Sequence, residues 1–158
     1  MLSDFRFRSG QRKALATLAR VVCPPELATF GILDDVLEET ELMVRALPTY
    51  LRTGLVAGLM AFDQGFRVYP GARGKRFADA TDLAAAEHYY ESWHRSAFPV
   101  QFQFAKAIKG LVCFSYYEHP RVLSSLDVHG DQWIAKVAKD RLAKYADQVR
   151  RADAEVTQ

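Results

Sequence analysis

From Pro99 to Tyr117 the chain reads PVQFQFAKAIKGLVCFSYY, a stretch whose apolar residues fall on nearly every side of a helix. At ~100° per residue, Val100, Phe104, Ala107, Ile108, Leu111 and Phe114 share one face. Phe98, Phe102, Ala105, Val112 and Tyr116 lie on the opposite side, interrupted by Lys106 and Lys109. A helix that needs cover on two sides is either central in its own domain or completed by another surface. The functional reading turns on that choice.

The remaining sequence has to supply the cover. Its 158 residues, 49% hydrophobic and 25% charged, fit one domain, 1–158, with enough material for a core. Periodicity predicts an all-α fold of five to six helices around the Phe-rich one, over 10–22, 32–47, 50–66, 80–97, 99–117 and 131–152. The first starts after Ser9, a good N-cap, carries Leu15, Leu18 and Val22 on one side, and ends at Cys23-Pro24-Pro25. The second repeats Leu33, Val36, Leu37, Met43, Val44 and Leu47, with Asp34, Asp35, Glu38, Glu39 and Glu41 facing away. The third turns Leu51, Leu55, Leu59, Phe62 and Phe66 inward. Its Gly54 and Gly58, four apart, imply close helix packing or a locally loosened helix. After a turn at His129-Gly130 the last helix is expected to face Trp133, Val137, Ala138, Tyr145 and Val149 inward, at least in part.

Composition excludes several classes of partner. A net charge of +2 does not argue for nucleic acid. The N-terminus bears Asp4, Arg6, Arg8, Arg12, Lys13 and Arg20 without an apolar core, so it reads as neither a signal peptide nor a twin-arginine leader, and cytoplasmic residence is the expectation. The longest uncharged run, Thr53 to Phe62, is well short of the ~20 residues a transmembrane helix needs. Tyr69-Pro70-Gly71-Ala72-Arg73-Gly74-Lys75-Arg76 reads as an exposed basic loop; it lacks the preceding strand and the Walker pattern that would make it a phosphate cradle.

Reactive constellations are few. Glu91-x-x-His94 puts a carboxylate and an imidazole on one side of a helix, as in bundles that bind two iron or manganese ions, but those sites need a second such pair and two more carboxylates. Here Glu118-His119 is adjacent and precedes a proline, so an ordinary surface pair is the expectation. Cys23 and Cys113 match no metal or redox spacing and read as buried thiols rather than a disulfide. Ser96 and Ser115 are expected to satisfy backbone groups rather than to act as nucleophiles. With no Gly-x-Ser-x-Gly and no dinucleotide fingerprint, no catalytic and no cofactor-binding residues are assigned.

Glu91-Ser92-Trp93-His94-Arg95-Ser96, then Phe104-Ala105-Lys106-Ala107-Ile108-Lys109, then Tyr116-Tyr117-x-x-Pro120-x-Val122 is similar to a small helical module. Gln11-x-x-x-Leu15-x-x-Leu18-Ala19-x-x-Val22-x-Pro24 fits its opening. The pattern resembles gluconate 2-dehydrogenase subunit 3, and also the helical segment before the flavin domain in fatty alcohol oxidases of the glucose-methanol-choline class. The resemblance implies a non-catalytic companion that stabilises or matures a larger alcohol, sugar or sterol dehydrogenase or oxidase, with FAD and hydride transfer in that partner. Such subunits are often exported through a twin-arginine signal, from which this sequence departs.

Together with the doubly apolar helix and the basic loop, the resemblance implies a docking region of Trp93, Phe98, Phe102, Lys106, Lys109, Tyr116 and Tyr117. Aromatic anchors dominate interface energetics, although a single tryptophan on a helix is more often core. Two other classes remain open: a binder of an apolar small molecule or lipid beside the Phe-rich helix, and a metal enzyme using Glu91 and His94. Peripheral contact with a membrane surface, lysines beside aromatics, is also compatible with the pattern.

Overall fold

A computed structural model describes residues 5–126 and 130–156, with side chains described throughout except at 131 and 147–156. All regular structure among the described residues is helical, as the periodicity predicts. It comprises α1 (Ser9–Val22), α2 (Glu26–Phe30), α3 (Leu33–Ala46), α4 (Thr49–Gly65), α5 (Leu83–His94), α6 (Pro99–Tyr117), α7 (Pro120–Ser125) and α8 (Gly130–Val156), with short 3-10 helices at Phe66–Val68 and Phe77–Asp79. Contacts divide the chain into two compact units, residues 1–119 and 120–158.

Eight α-helices replace the five or six expected, because α2 and α7 are too short to show a period. α2 follows Pro24-Pro25, which the sequence marks only as an end. Gly31, at φ 64°, closes it in the left-handed conformation that glycine adopts without strain. α5 runs 83–94 rather than 80–97. Asp82 sets its start, its carboxylate accepting from the Ala85 N–H at 3.1 Å. α1 begins at Ser9 itself, with Arg8 at the cap position, where its N–H donates to Gln11 Oε1 at 2.9 Å.

In the first unit α1 and α6 share the centre. α6 packs on α1, α3, α4 and α5, and α1 touches α3, α4, α5, α6 and the 77–79 turn. Leu15, Leu18 and Ala19 of α1, Val36 and Val44 of α3, and Ile108 and Val112 of α6 have no measurable exposure. Thr40 and Ser115, also buried, meet through their hydroxyls at 2.9 Å and tie α3 to α6. Ser115 Oγ also donates to the Leu111 carbonyl at 3.1 Å, the backbone role expected of it. Glu41 departs from the expected acidic outer face. It is buried, and accepts from the Phe7 N–H at 3.0 Å and pairs with Arg45 at 3.9 Å, anchoring the segment before α1 on α3. Asp34 and Glu38 do face out, toward Arg12.

A knot of rings fills the space among α4, α5, α6 and the two 3-10 turns. Phe62 is its middle, with ring centroids at 4.6 Å from Phe77, 4.8 Å from Tyr89, 5.1 Å from Trp93 and 5.7 Å from Phe104. Phe66 and Tyr69 extend it on the Tyr89 side. Each such pair adds about 0.5–1.5 kcal/mol beyond area burial. Tyr89 Oη donates to the Phe62 carbonyl at 2.9 Å and Tyr90 Oη to the Ala105 carbonyl at 3.2 Å, so neither buried phenol is left unsatisfied.

The glycines of α4 resolve in the same packing. A Cβ on Gly58 would sit 2.5 Å from Phe104, so close approach explains that residue, whereas one on Gly54 would meet nothing within 4 Å. Leu59, Phe62 and Phe66 are buried as expected; Leu51 is exposed and Leu55 half-buried, because the cover thins toward the start of α4.

The second unit holds α7 and α8. Val122 is buried in α7. Along α8, Trp133, Ala138 and Tyr145 are exposed, contrary to the inward face expected, and Val137 is half-buried; Val149 and His129 lie outside what is described. Among the described residues of this unit, the other helix is the six-residue α7.

Candidate functional site

The outer face of α6 is built by the corner that precedes it. Ser96 Oγ accepts from the Phe98 N–H at 3.1 Å and donates to Gln101 Oε1 at 2.6 Å, and Pro99 then opens the helix at a position where no N–H is needed. α5 and α6 run back to back from this corner, with Tyr90 reaching Ala105 and the His94 ring 6.0 Å from Phe102.

The two apolar faces read from the sequence do not separate into one inside and one outside. Phe104, Ala105, Ile108, Val112, Ser115 and Tyr116 are buried, an arc lying between them, because α3, α4 and α5 converge on that arc. Several large apolar groups remain outside beside Gln103 and Lys106. Phe98 is 70% exposed, Val100 77% and Phe114 52%; Phe102 and Tyr117 are exposed too. Along the helix Val100, Gln103, Ala107, Gly110, Phe114 and Tyr117, spaced three and four apart, form one exposed row. A Cβ on Gly110 would meet nothing within 4 Å, so packing inside this chain does not require that glycine. Lys106 Nζ lies 5.8 Å from the Phe102 ring centroid, a cation over an aromatic face.

Of the seven docking residues inferred from the sequence, Phe98, Phe102, Lys106 and Tyr117 are exposed and Lys109 is half-buried. Tyr116 is corrected to core: it is 3% exposed, and burial raises its pKa. Trp93 is half-buried with its ring against Phe62, Tyr89 and Phe104, so it props the aromatic knot rather than the outer face. Glu91 and His94 do not converge on a common point. The Glu91 carboxylate pairs with Arg95 at 3.1 Å, while the imidazole stacks on Tyr90 with centroids 5.9 Å apart. Among the described residues no group of three or more histidines, cysteines or carboxylates is placed to hold a metal.

The basic loop is a loop, with Gly71, Arg73 and Gly74 at positive φ. One of its charges is engaged: Arg76 Nε pairs with Asp63 at 3.1 Å. Lys75 Nζ reaches Thr81 Oγ1 at 3.2 Å. An open cleft of about 440 Å³ lies elsewhere, lined by residues including Arg20, Pro24, Leu27, Gly31, Leu33 and Leu83, and no residue of α6 contributes to it.

One pairing was invisible in the sequence. Cys113, in the middle of α6, reaches the Val22 carbonyl at 3.7 Å, beside Cys23 at the end of α1, across a separation that no spacing rule covers. Only the packing of α1 on α6 could have revealed it. No helix among the described residues is long and apolar enough to cross a membrane. Comparison with family models, with curated proteins and with solved structures gives no match.

Proposed function

We propose that this chain is a non-catalytic accessory subunit that docks through the outer face of α6 on a larger flavin-dependent oxidoreductase of the glucose-methanol-choline type, and stabilises or matures it. The observation that carries the docking is the set of large apolar groups left exposed along α6, Phe98 and Val100 at its start, Phe102 on one side, and Phe114 and Tyr117 toward its end. Monomeric proteins rarely leave large aromatic groups in a contiguous apolar patch without a use for them. The flavoprotein as occupant is supported by the resemblance of Glu91–Ser96, Phe104–Lys109 and the Tyr116-Tyr117 pair to the small subunit of such enzymes. FAD, substrate and hydride transfer then belong to the partner, with an alcohol, sugar or sterol as substrate. The role of this chain is to cover and hold the partner's surface.

Co-expression with a flavoprotein of this class from the same source, followed by size-exclusion chromatography, tests the reading. The two chains are expected to co-elute. The double variant Phe98→Glu/Phe114→Glu is expected to weaken the complex by on the order of a thousandfold, at ~2 kcal/mol or more per aromatic anchor. Both side chains are exposed, so the isolated chain should lose no more than about 0.5 kcal/mol of stability. Gly110→Ala is expected to stabilise the isolated chain by about 1 kcal/mol, the helix cost of glycine, while weakening the complex. A flavoprotein that is soluble, flavinated and active without this chain, or that binds the double variant as well as the parent, would overturn the proposal.

A further inference from the structure

Cys23 and Cys113 are 90 positions apart in the chain, yet the packing of α6 on α1 brings them to the same place. Cys113 Sγ donates to the carbonyl oxygen of Val22, the residue preceding Cys23, at 3.7 Å, which sets the middle of α6 against the end of α1 where Cys23 stands. They differ in access. Cys23 is buried, 7% exposed, whereas Cys113 is partly open to solvent. Both are free thiols.

We propose that Cys113 and Cys23 form a redox modification site, in which Cys113 reacts with a hydroperoxide and Cys23 resolves the product into an intramolecular disulfide joining the end of α1 to the middle of α6. In the first step the Cys113 thiolate attacks a peroxide oxygen, the O–O bond breaks, and Cys113 becomes a sulfenic acid while hydroxide leaves and takes up a proton. In the second, Cys23 Sγ displaces the hydroxyl from Cys113 Sγ, the S–S bond forms, and the hydroxyl departs with the Cys23 proton as a second water. The two sulfurs together give up two electrons, and hydrogen peroxide is reduced to two waters. A small dithiol reverses the change.

The division of roles follows from the surroundings. Cys113 is the thiol open to solvent and so the one a hydroperoxide can reach, and its interaction with Cys23, then the ammonium of Lys109 one turn earlier on α6, lowers its pKa against the opposing effect of burial. The same interaction, with burial, pushes Cys23 up. Lys109 on α6 and the phenols of Tyr90 on α5 and Tyr116 on α6 also interact electrostatically with the pair. A lowered pKa leaves more of Cys113 as thiolate than an ordinary cysteine holds at the same pH, so Cys113 should outrun one near neutrality.

The test uses the full chain, fully reduced, with one equivalent of hydrogen peroxide followed by peptide mapping under non-reducing conditions. The expected product is a monomer that has lost two hydrogens and yields a Cys23–Cys113 cross-linked peptide. Its thermal midpoint should rise by on the order of 10 °C, because the bond closes a long loop of the unfolded chain. Cys23→Ser should accumulate a sulfenic acid on Cys113 that dimedone traps, and Cys113→Ser should consume peroxide at least tenfold more slowly. In the unsubstituted chain the peroxide rate should climb with pH to a plateau above about 7, and Lys109→Ala should move that plateau to higher pH. Disulfide-linked dimers as the main product, untouched thiols, or a Cys113→Ser variant as reactive as the parent would overturn the proposal. So would a rate that keeps rising tenfold per unit up to pH 9, a readout that needs no variant to fold.

Discussion

Phe62→Ala is expected to destabilise the unit of residues 1–119 by about 3–5 kcal/mol, the range for removing a large aromatic from a core that cannot collapse into the space. Phe62 has no measurable exposure, and its ring touches those of Phe77, Tyr89, Trp93 and Phe104. These four come from α5, α6 and the turn before α5, so one deletion loosens three elements at once. Denaturant titration followed by tryptophan fluorescence checks this. Trp93 reports the cluster directly, and the second tryptophan, Trp133, lies in the other unit. Phe62→Leu should recover more than half of the loss, because most of the volume returns while the ring contacts do not. A loss below 1 kcal/mol for Phe62→Ala would show that the aromatic knot is not what holds α4, α5 and α6 together.

Asp63→Ala, at the adjacent position, should cost about 2–4 kcal/mol by a different route. Its carboxylate is nearly buried, accepts from the Ala78 N–H at 2.8 Å and pairs with Arg76 at 3.1 Å. Truncation leaves a backbone donor without its acceptor and a guanidinium without its main counter-charge, and removing one partner of a buried pair costs more than the pair itself contributes. Arg76 keeps some solvent exposure and a weaker contact to Asp79 at 3.9 Å, which sets the loss below the upper limit for fully buried pairs. The 3-10 turn at 77–79 would lose its tether to α4, and Phe77 with it. Hydrogen exchange should therefore show the Ala78 amide opening first. Asp63→Asn should retain the backbone bond and lose about half as much stability as Asp63→Ala. Equal losses in the two variants would assign the effect to the ion pair alone.

What the sequence could disclose depended on repetition. α1, α3, α4 and α6 each run 14 residues or more, long enough for a period to declare itself, and each falls within a residue or two of its expected bounds. α2 and α7 span five and six residues and bury a single side chain apiece, so nothing repeats. Glu41 was read as outward because its neighbours are acidic; its burial depends on the Phe7 amide, 34 positions away, which no helical period contains. Within the candidate site, periodicity identified α6 as overfull of apolar groups but misassigned the buried arc, since the direction from which α3, α4 and α5 arrive is a tertiary fact. Phe98 and Phe102, on the face that Lys106 and Lys109 interrupt, are exposed. Phe114 and Val100 share a helical face with the buried Phe104 and Ile108 and are nonetheless outside. Trp93 and Tyr116 were offered to a partner, and the fold uses them itself.

The corner at Ser96 has a consequence for recognition. Because the Ser96 hydroxyl fixes the Phe98 amide and Pro99 limits the backbone that follows, the most exposed ring on α6 stands on a mount that is rigid before any visitor arrives. Freezing a wandering loop on association costs free energy that a preorganised anchor does not forfeit again, so its contact reaches affinity with less loss. Swapping Ser96 for a residue that cannot hold the amide would dull recognition from beneath, with the aromatic row itself untouched.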